Sequence, residues 1–97
     1  MRCDGFRRSR FMNKVIIYTT PYCGYCVQAK RLLSRKGVTY EEVDVARDPE
    51  QRRTMIQGSG GRMTVPQIFV NGSHIGDCDE IYALEKAGKL DGLLNPP

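Results

Sequence analysis

The sequence predicts an α/β domain built on one four-stranded mixed sheet flanked by three or more helices. Three observations predict it. Runs of β-branched and aromatic residues alternate with stretches whose apolar residues recur at helical spacing, in the order strand–helix–strand–helix–strand–strand–helix. The last two strands are separated by Asn71-Gly72, a strong signal for an antiparallel hairpin, whereas the earlier strands are joined through helices as right-handed βαβ crossovers. A chain of 97 residues, 40% of them hydrophobic, has room for one core and no second.

Lys14–Thr19 reads as a buried strand, stopped by Thr20-Pro21-Tyr22. From Gly24 to Lys36, Cys26, Ala29, Leu32 and Leu33 share one helical face, and Gly37 ends that helix as a C′ glycine. Val38–Val45 is the second strand, with Tyr40, Val43 and Val45 as its apolar positions. Asp48-Pro49 opens the next helix, Asp48 as N-cap and Pro49 at N1, where a missing N–H costs nothing. Met55 and Ile56 give that helix a modest apolar side, and Gly58-Ser59-Gly60-Gly61 ends it. Gln67–Val70 and Ser73–Ile75 flank the hairpin turn. Asp77-Cys78-Asp79-Glu80 fits a capping box, followed by Ile81, Leu84 and Ala87 on one helix face, with Leu90–Leu94 as a further short turn.

The formal net charge of +4 suggests a nucleic-acid partner, but the charge is not spread over the domain. Residues 1–14 carry Arg2, Arg7, Arg8, Arg10 and Lys14 against Asp4, which is the whole excess; the other ten basic and ten acidic side chains cancel. With no interleaving of aromatic and basic residues in the domain, no nucleic-acid partner is expected. The longest aliphatic-aromatic run is Val15–Tyr18, too short for a transmembrane helix, so no membrane partner is expected either. Residues 1–13 are expected to form an unstructured basic leader ahead of a domain over 14–97. Two readings of that leader stand open: a basic arm, or a stretch upstream of a natural start at Met12.

The four cysteines are Cys3, Cys23, Cys26 and Cys78, one tight pair and two distant singles, and no export signal is visible. That pattern points to a reducing, cytoplasmic setting in which the pair does chemistry. Cys23-Gly24-Tyr25-Cys26 lies where the first strand passes into the first helix. Unpaired N–H groups and the positive end of the helix dipole stabilise an anion there, and a thiolate is such an anion. Cys23 is therefore the expected nucleophile. Cys26, three residues on, shares the inner face and is poised to resolve a disulfide that Cys23 forms. A CxxC can also be half of a zinc site, with His74 and Cys78 as nominal further ligands. Cys23, however, follows a core strand rather than a knuckle turn, so the redox reading is preferred and no metal is expected. His74 is more simply a hairpin residue.

Three motifs in order resemble the glutaredoxin family: Thr20-Pro21-Tyr22-Cys23-Gly24-Tyr25-Cys26, Thr64-Val65-Pro66-Gln67-Ile68-Phe69-Val70-Asn71-Gly72, and His74-Ile75-Gly76-Asp77-Cys78-Asp79-Glu80. The resemblance, of the dithiol CGYC type, spans roughly Lys14 to Leu94. It implies a thioredoxin fold, a cis peptide bond before Pro66, and glutathione-dependent reduction of glutathionylated and disulfide-containing proteins by a monomer. Glutathione is then a co-substrate. Its two carboxylates and one ammonium call for cations or N–H donors at both ends of a site. Arg62 is placed to meet the glycyl carboxylate. Thr64, Val65 and Pro66 offer an edge for the extended peptide. The helix opening at Cys78-Asp79 offers N–H groups to the γ-glutamyl carboxylate, while the Asp79 side chain answers the ammonium and Tyr25 packs along the peptide. Cys78 itself is expected to be a small buried residue rather than a catalytic one.

Two positions depart from the family pattern. Many glutaredoxins carry a lysine three residues before the nucleophile, where this chain has Thr20, so one source of thiolate stabilisation is missing. Asp77 stands where the family usually has a second glycine; it caps the helix and adds negative charge where a ligand carboxylate is expected. A thioredoxin would ordinarily show a Trp before its CxxC, and the chain has none. The alternative from another class is a carrier of a [2Fe–2S] cluster ligated by Cys23 and glutathione from each of two subunits. It is suggested by Gly24 in place of the proline common between the cysteines.

Overall fold

The computed structural model describes residues 13–96, which form β1 (Val15–Thr19), α1 (Gly24–Arg35), β2 (Tyr40–Asp44), α2 (Pro49–Gly58), β3 (Gln67–Val70), β4 (Ser73–Gly76), α3 (Cys78–Lys86) and α4 (Leu90–Leu94). The strands make one sheet in the order β2-β1-β3-β4. β1 and β2 are parallel with Val15 opposite Tyr40, while β1–β3 and β3–β4 are antiparallel. This is the mixed sheet expected of a thioredoxin fold. β2 starts at Tyr40 rather than at Val38 because β1 begins at Val15, its partner, and the two earlier residues have no strand to pair with. Asn71 and Gly72 both have left-handed backbone, φ +51° and +85°, as a two-residue type I′ hairpin requires.

The period of two in β1 and β3 divides the core between the faces of the sheet. Val15, Ile17, Ile68 and Val70 meet Ala29, Leu32 and Leu33 of α1, Cys78 and Ile81 of α3, and Leu90 and Leu94 of α4. On the other face Tyr18 and Phe69 pack with Val45 and Met55, with Ile16, Val43, Ile56 and Val65 against them. The Tyr18 and Phe69 rings meet edge to face with centroids 5.3 Å apart, an arrangement worth about 0.5–1.5 kcal/mol beyond its buried area. Lys36 joins three helices, its ammonium 2.8 Å from Glu85 and 2.9 Å from Asp91. Ala87, expected on the inner face of α3, is exposed, because the helix ends at Lys86 and Ala87 is its C-cap.

Strand direction decides where the chemistry collects. β3 runs against β1, so its first residue, Gln67, lies beside Tyr18 near the end of β1. β4 runs against β3, so its last residue, Gly76, lies beside Ile68 near the start of β3. The start of α1, the loop before β3 and the start of α3 therefore gather at one end of the sheet. The leader expected over 1–13 lies outside the described residues except for Asn13, whose side chain accepts from Asn71 Nδ2 at 2.9 Å and donates to the Pro96 carbonyl at 3.4 Å. Cys3 also lies outside them. Among the described residues no helix is long and apolar enough to cross a membrane.

Candidate active site

Pro21 and Tyr22 turn the chain from β1 into α1, with Tyr22 left-handed at φ +60° and its ring fully exposed. Cys23 follows as the N-cap, in an extended conformation with φ −107° and ψ 107°. Its sulfur accepts the backbone N–H of Cys26 at 3.1 Å, the role a serine or aspartate oxygen plays at other helix starts. Cys23 is half-buried, whereas Cys26 is 2% exposed. Burial pushes the Cys26 thiol up to about 12, with its hydrogen bond to Cys23 adding to the rise. One sulfur thus sits at the open start of the helix and the other is kept as a buried, protonated thiol.

Beside this pair a cleft of about 310 Å³ is lined by Tyr25, Thr64, Val65, Pro66, Asp77, Cys78 and Asp79. That volume suits a tripeptide-sized ligand. The Val65–Pro66 peptide bond is cis, as expected. The cleft brings together every residue singled out for glutathione except Arg62, and adds Asp77. Cys78 is 3% exposed in the wall, as expected of a small buried residue. Burial pushes its thiol up, with the charges of Asp79, Asp77 and Cys23 adding to the rise.

Arg62 reaches across to α3. Its Nη2 lies 2.8 Å from Asp77 Oδ2 and its Nη1 2.8 Å from Glu80 Oε1. The same two carboxylates complete the predicted capping box, the Glu80 N–H donating to Asp77 Oδ1 and the Asp77 N–H to Glu80 Oε1, each at 2.9 Å.

Gln67 reads in the sequence as an ordinary strand residue, yet its side chain is completely buried. Its Nε2 donates to the Thr64 carbonyl at 3.1 Å and to Thr64 Oγ1 at 3.3 Å. A carbonyl can only accept, so the amide nitrogen faces Thr64 and Oε1 faces His74, whose Nε2 must be the donor in their 2.6 Å contact. The cleft wall at Thr64 is therefore pinned from below by β3 and β4. The only signal in the sequence was a glutamine inside an otherwise apolar strand. His74 is committed to this network, and among the described residues no three His, Cys, Asp or Glu side chains converge as metal ligands.

The family model for glutaredoxin matches residues 15–75. Glutaredoxin 3 of Escherichia coli strain K12 is 51% identical over 83 residues, covering 86% of this chain and 99% of its own length. The solution structure of glutaredoxin from Brucella melitensis is 54% identical with a TM-score of 0.73, covering 84% of this chain and 88% of that one. The crystal structure of a buckwheat glutaredoxin–glutathione complex is 28% identical with a TM-score of 0.75, covering 91% and 84%.

Proposed function

The chain belongs to the glutaredoxin family, whose members are thiol–disulfide oxidoreductases, and from that premise we propose that it uses glutathione to reduce protein–glutathione mixed disulfides and protein disulfides. The observation that carries the reading is the cleft running from Tyr25 through Thr64, Val65 and cis-Pro66 to the start of α3, where Cys78 feels the charge of Cys23. The glutathione complex of the buckwheat relative supports it.

In the first step the Cys23 thiolate attacks the glutathione sulfur of the mixed disulfide. A Cys23–glutathione disulfide forms, the original S–S bond breaks, and the protein thiolate leaves to take a proton from solvent. The thiolate of a second glutathione then attacks the glutathionyl sulfur. Glutathione disulfide forms and Cys23 is released as thiolate.

With a protein disulfide, Cys23 instead forms a mixed disulfide with the protein, and Cys26 attacks the Cys23 sulfur to expel the protein thiol. The reaction itself prepares Cys26. Part of what holds its proton is the hydrogen bond and charge of Cys23; the charge is lost and the hydrogen bond weakened once Cys23 is in a disulfide. Glutathione later reduces the Cys23–Cys26 bond.

The ligand lies along Thr64 and Val65, its γ-glutamyl carboxylate at the N–H groups of Cys78 and Asp79, its ammonium at the Asp79 carboxylate, and Tyr25 against its side. The protein acts in a reducing, cytoplasmic compartment, a reading supported by a CxxC pair placed for chemistry rather than for stapling the fold. Turnover of a glutathione–peptide mixed disulfide, coupled to glutathione reductase and run beside a thioredoxin-reductase control, tests the proposal. Rapid turnover with glutathione alone is expected, and turnover only with thioredoxin reductase would reject it.

A further inference from the structure

The guanidinium of Arg62 is the cation expected to meet a ligand carboxylate, yet two carboxylates of α3 already hold it, each at 2.8 Å. Asp77 has three roles at once: its Oδ2 takes Arg62, its Oδ1 caps α3, and the residue lines the cleft next to Cys78 and Asp79. Arg62, Asp77 and Glu80 together carry one positive and two negative charges, so an anion approaching the arginine meets a cluster whose sum is negative.

We infer that Asp77 is a specificity-determining residue that sets how strongly the site prefers a ligand ending in a free carboxylate, by competing with that carboxylate for Arg62. The inference rests on the glutathione reading above and deepens it. Arg62, Asp77 and Glu80 are all partly exposed, with side-chain accessibilities of 34%, 30% and 49%. The latch is therefore exchangeable, and the expected effect is that of a partly solvated ion pair. It acts through charge and is separable from the cap, because asparagine and serine also cap helices.

The test compares two mixed disulfides, one of glutathione and one of its glycine-amide analogue, which lacks the terminal carboxylate. Relative to the unsubstituted protein, Asp77→Asn is expected to lower KM for the carboxylate form by about two- to fivefold and to leave KM for the amide where it was. Asp77→Ser, which keeps a cap without the charge, is expected to do the same. In an Arg62→Gln background neither substitution should change the preference, since the group being competed for is gone.

An equal fall for acid and amide, a fall that persists without Arg62, or no fall at all overturns the inference. Failure of the unsubstituted protein to turn over either mixed disulfide is a different result, which rejects the glutathione reading and this inference with it.

Discussion

The backbone N–H of Cys26 points at the sulfur of Cys23, 3.1 Å away, so the atom proposed as the nucleophile is also the cap of the helix that carries its proposed resolving partner. Local sequence makes this possible. A CxxC spacing puts the second cysteine at N3, where a capping side chain finds its N–H donor. The same spacing turns Cys26 inward beside Ala29 and Leu33, where it is buried and keeps its proton. One turn of helix therefore gives two chemically identical side chains different exposures, one half-buried and one buried.

That asymmetry separates the two single substitutions. Cys23→Ser should abolish turnover of glutathione mixed disulfides, because a serine hydroxyl is not ionised and cannot replace the thiolate. Cys26→Ser should leave that turnover largely intact and suppress reduction of protein disulfides, which needs the resolving thiol. Parallel glutathione-reductase-coupled assays on both substrate types check this, and equal losses in the two variants would contradict it.

Gln67 should matter to both stability and binding. Gln67→Leu keeps the bulk and removes the hydrogen bonds to Thr64 and His74, leaving buried partners unsatisfied at a cost of about 1–3 kcal/mol. The urea midpoint is expected to fall accordingly. Because Thr64 forms part of the cleft wall, KM for the glutathione mixed disulfide should rise by more than kcat falls. An unchanged KM alongside a lowered midpoint would mean that the network serves the core alone.

Gly76 is constrained twice. Its φ is +143°, and a Cβ built there would lie 2.6 Å from the Cβ of Glu80. Gly76→Ala must therefore strain the backbone and displace the first turn of α3, costing about 1–3 kcal/mol for the backbone alone. Displacing Glu80 also removes one carboxylate from Arg62. A drop in thermal midpoint should accompany altered acid-over-amide preference at the cleft.

What could be read from the sequence was what short segments decide for themselves. Asp48-Pro49, Asn71-Gly72 and the Asp77–Glu80 box each fix their own backbone through contacts within a few residues, and each element was legible at that point. Cys23 and Cys26 were legible for the same reason. The attachment of Arg62 was not: its partner Asp77 is fifteen positions away, and their meeting depends on β3 and β4 folding back on each other. Gln67 was missed because side-chain polarity does not reveal whether a strand residue faces solvent or a buried acceptor. The start of β2 was misplaced because strand length is set by the neighbour, and β1 offers nothing before Val15.

His74 gives the structure a pH dependence that one side chain should account for, since it is the chain's single histidine. Burial holds it below its ordinary value of 6.5 and the charge of Arg62 adds to the fall, while Glu80 and Asp77 oppose it. The Phe69 ring packs against it, its centroid 5.2 Å from that of the imidazole, and the Nε2–H bond to Gln67 survives protonation. The penalty for the charged form is therefore desolvation, not a broken hydrogen bond. A histidine with a depressed folded-state value binds its proton more weakly folded than unfolded, so acid favours the unfolded chain. Stability is fully present above 6.5 and should decline as pH falls from there towards the folded-state value, with a slope of at most about 1.4 kcal/mol per pH unit. Below 4.5 a second loss should begin, because Glu80 and Glu42 are held low by their partners and contribute stability only while ionised. Urea unfolding at pH 7.5 and 5.5 isolates the first stage. The unsubstituted protein should lose stability between the two, and His74→Gln, whose amide can still donate to Gln67, should lose much less. Parallel losses in the two proteins would place the titrating group elsewhere.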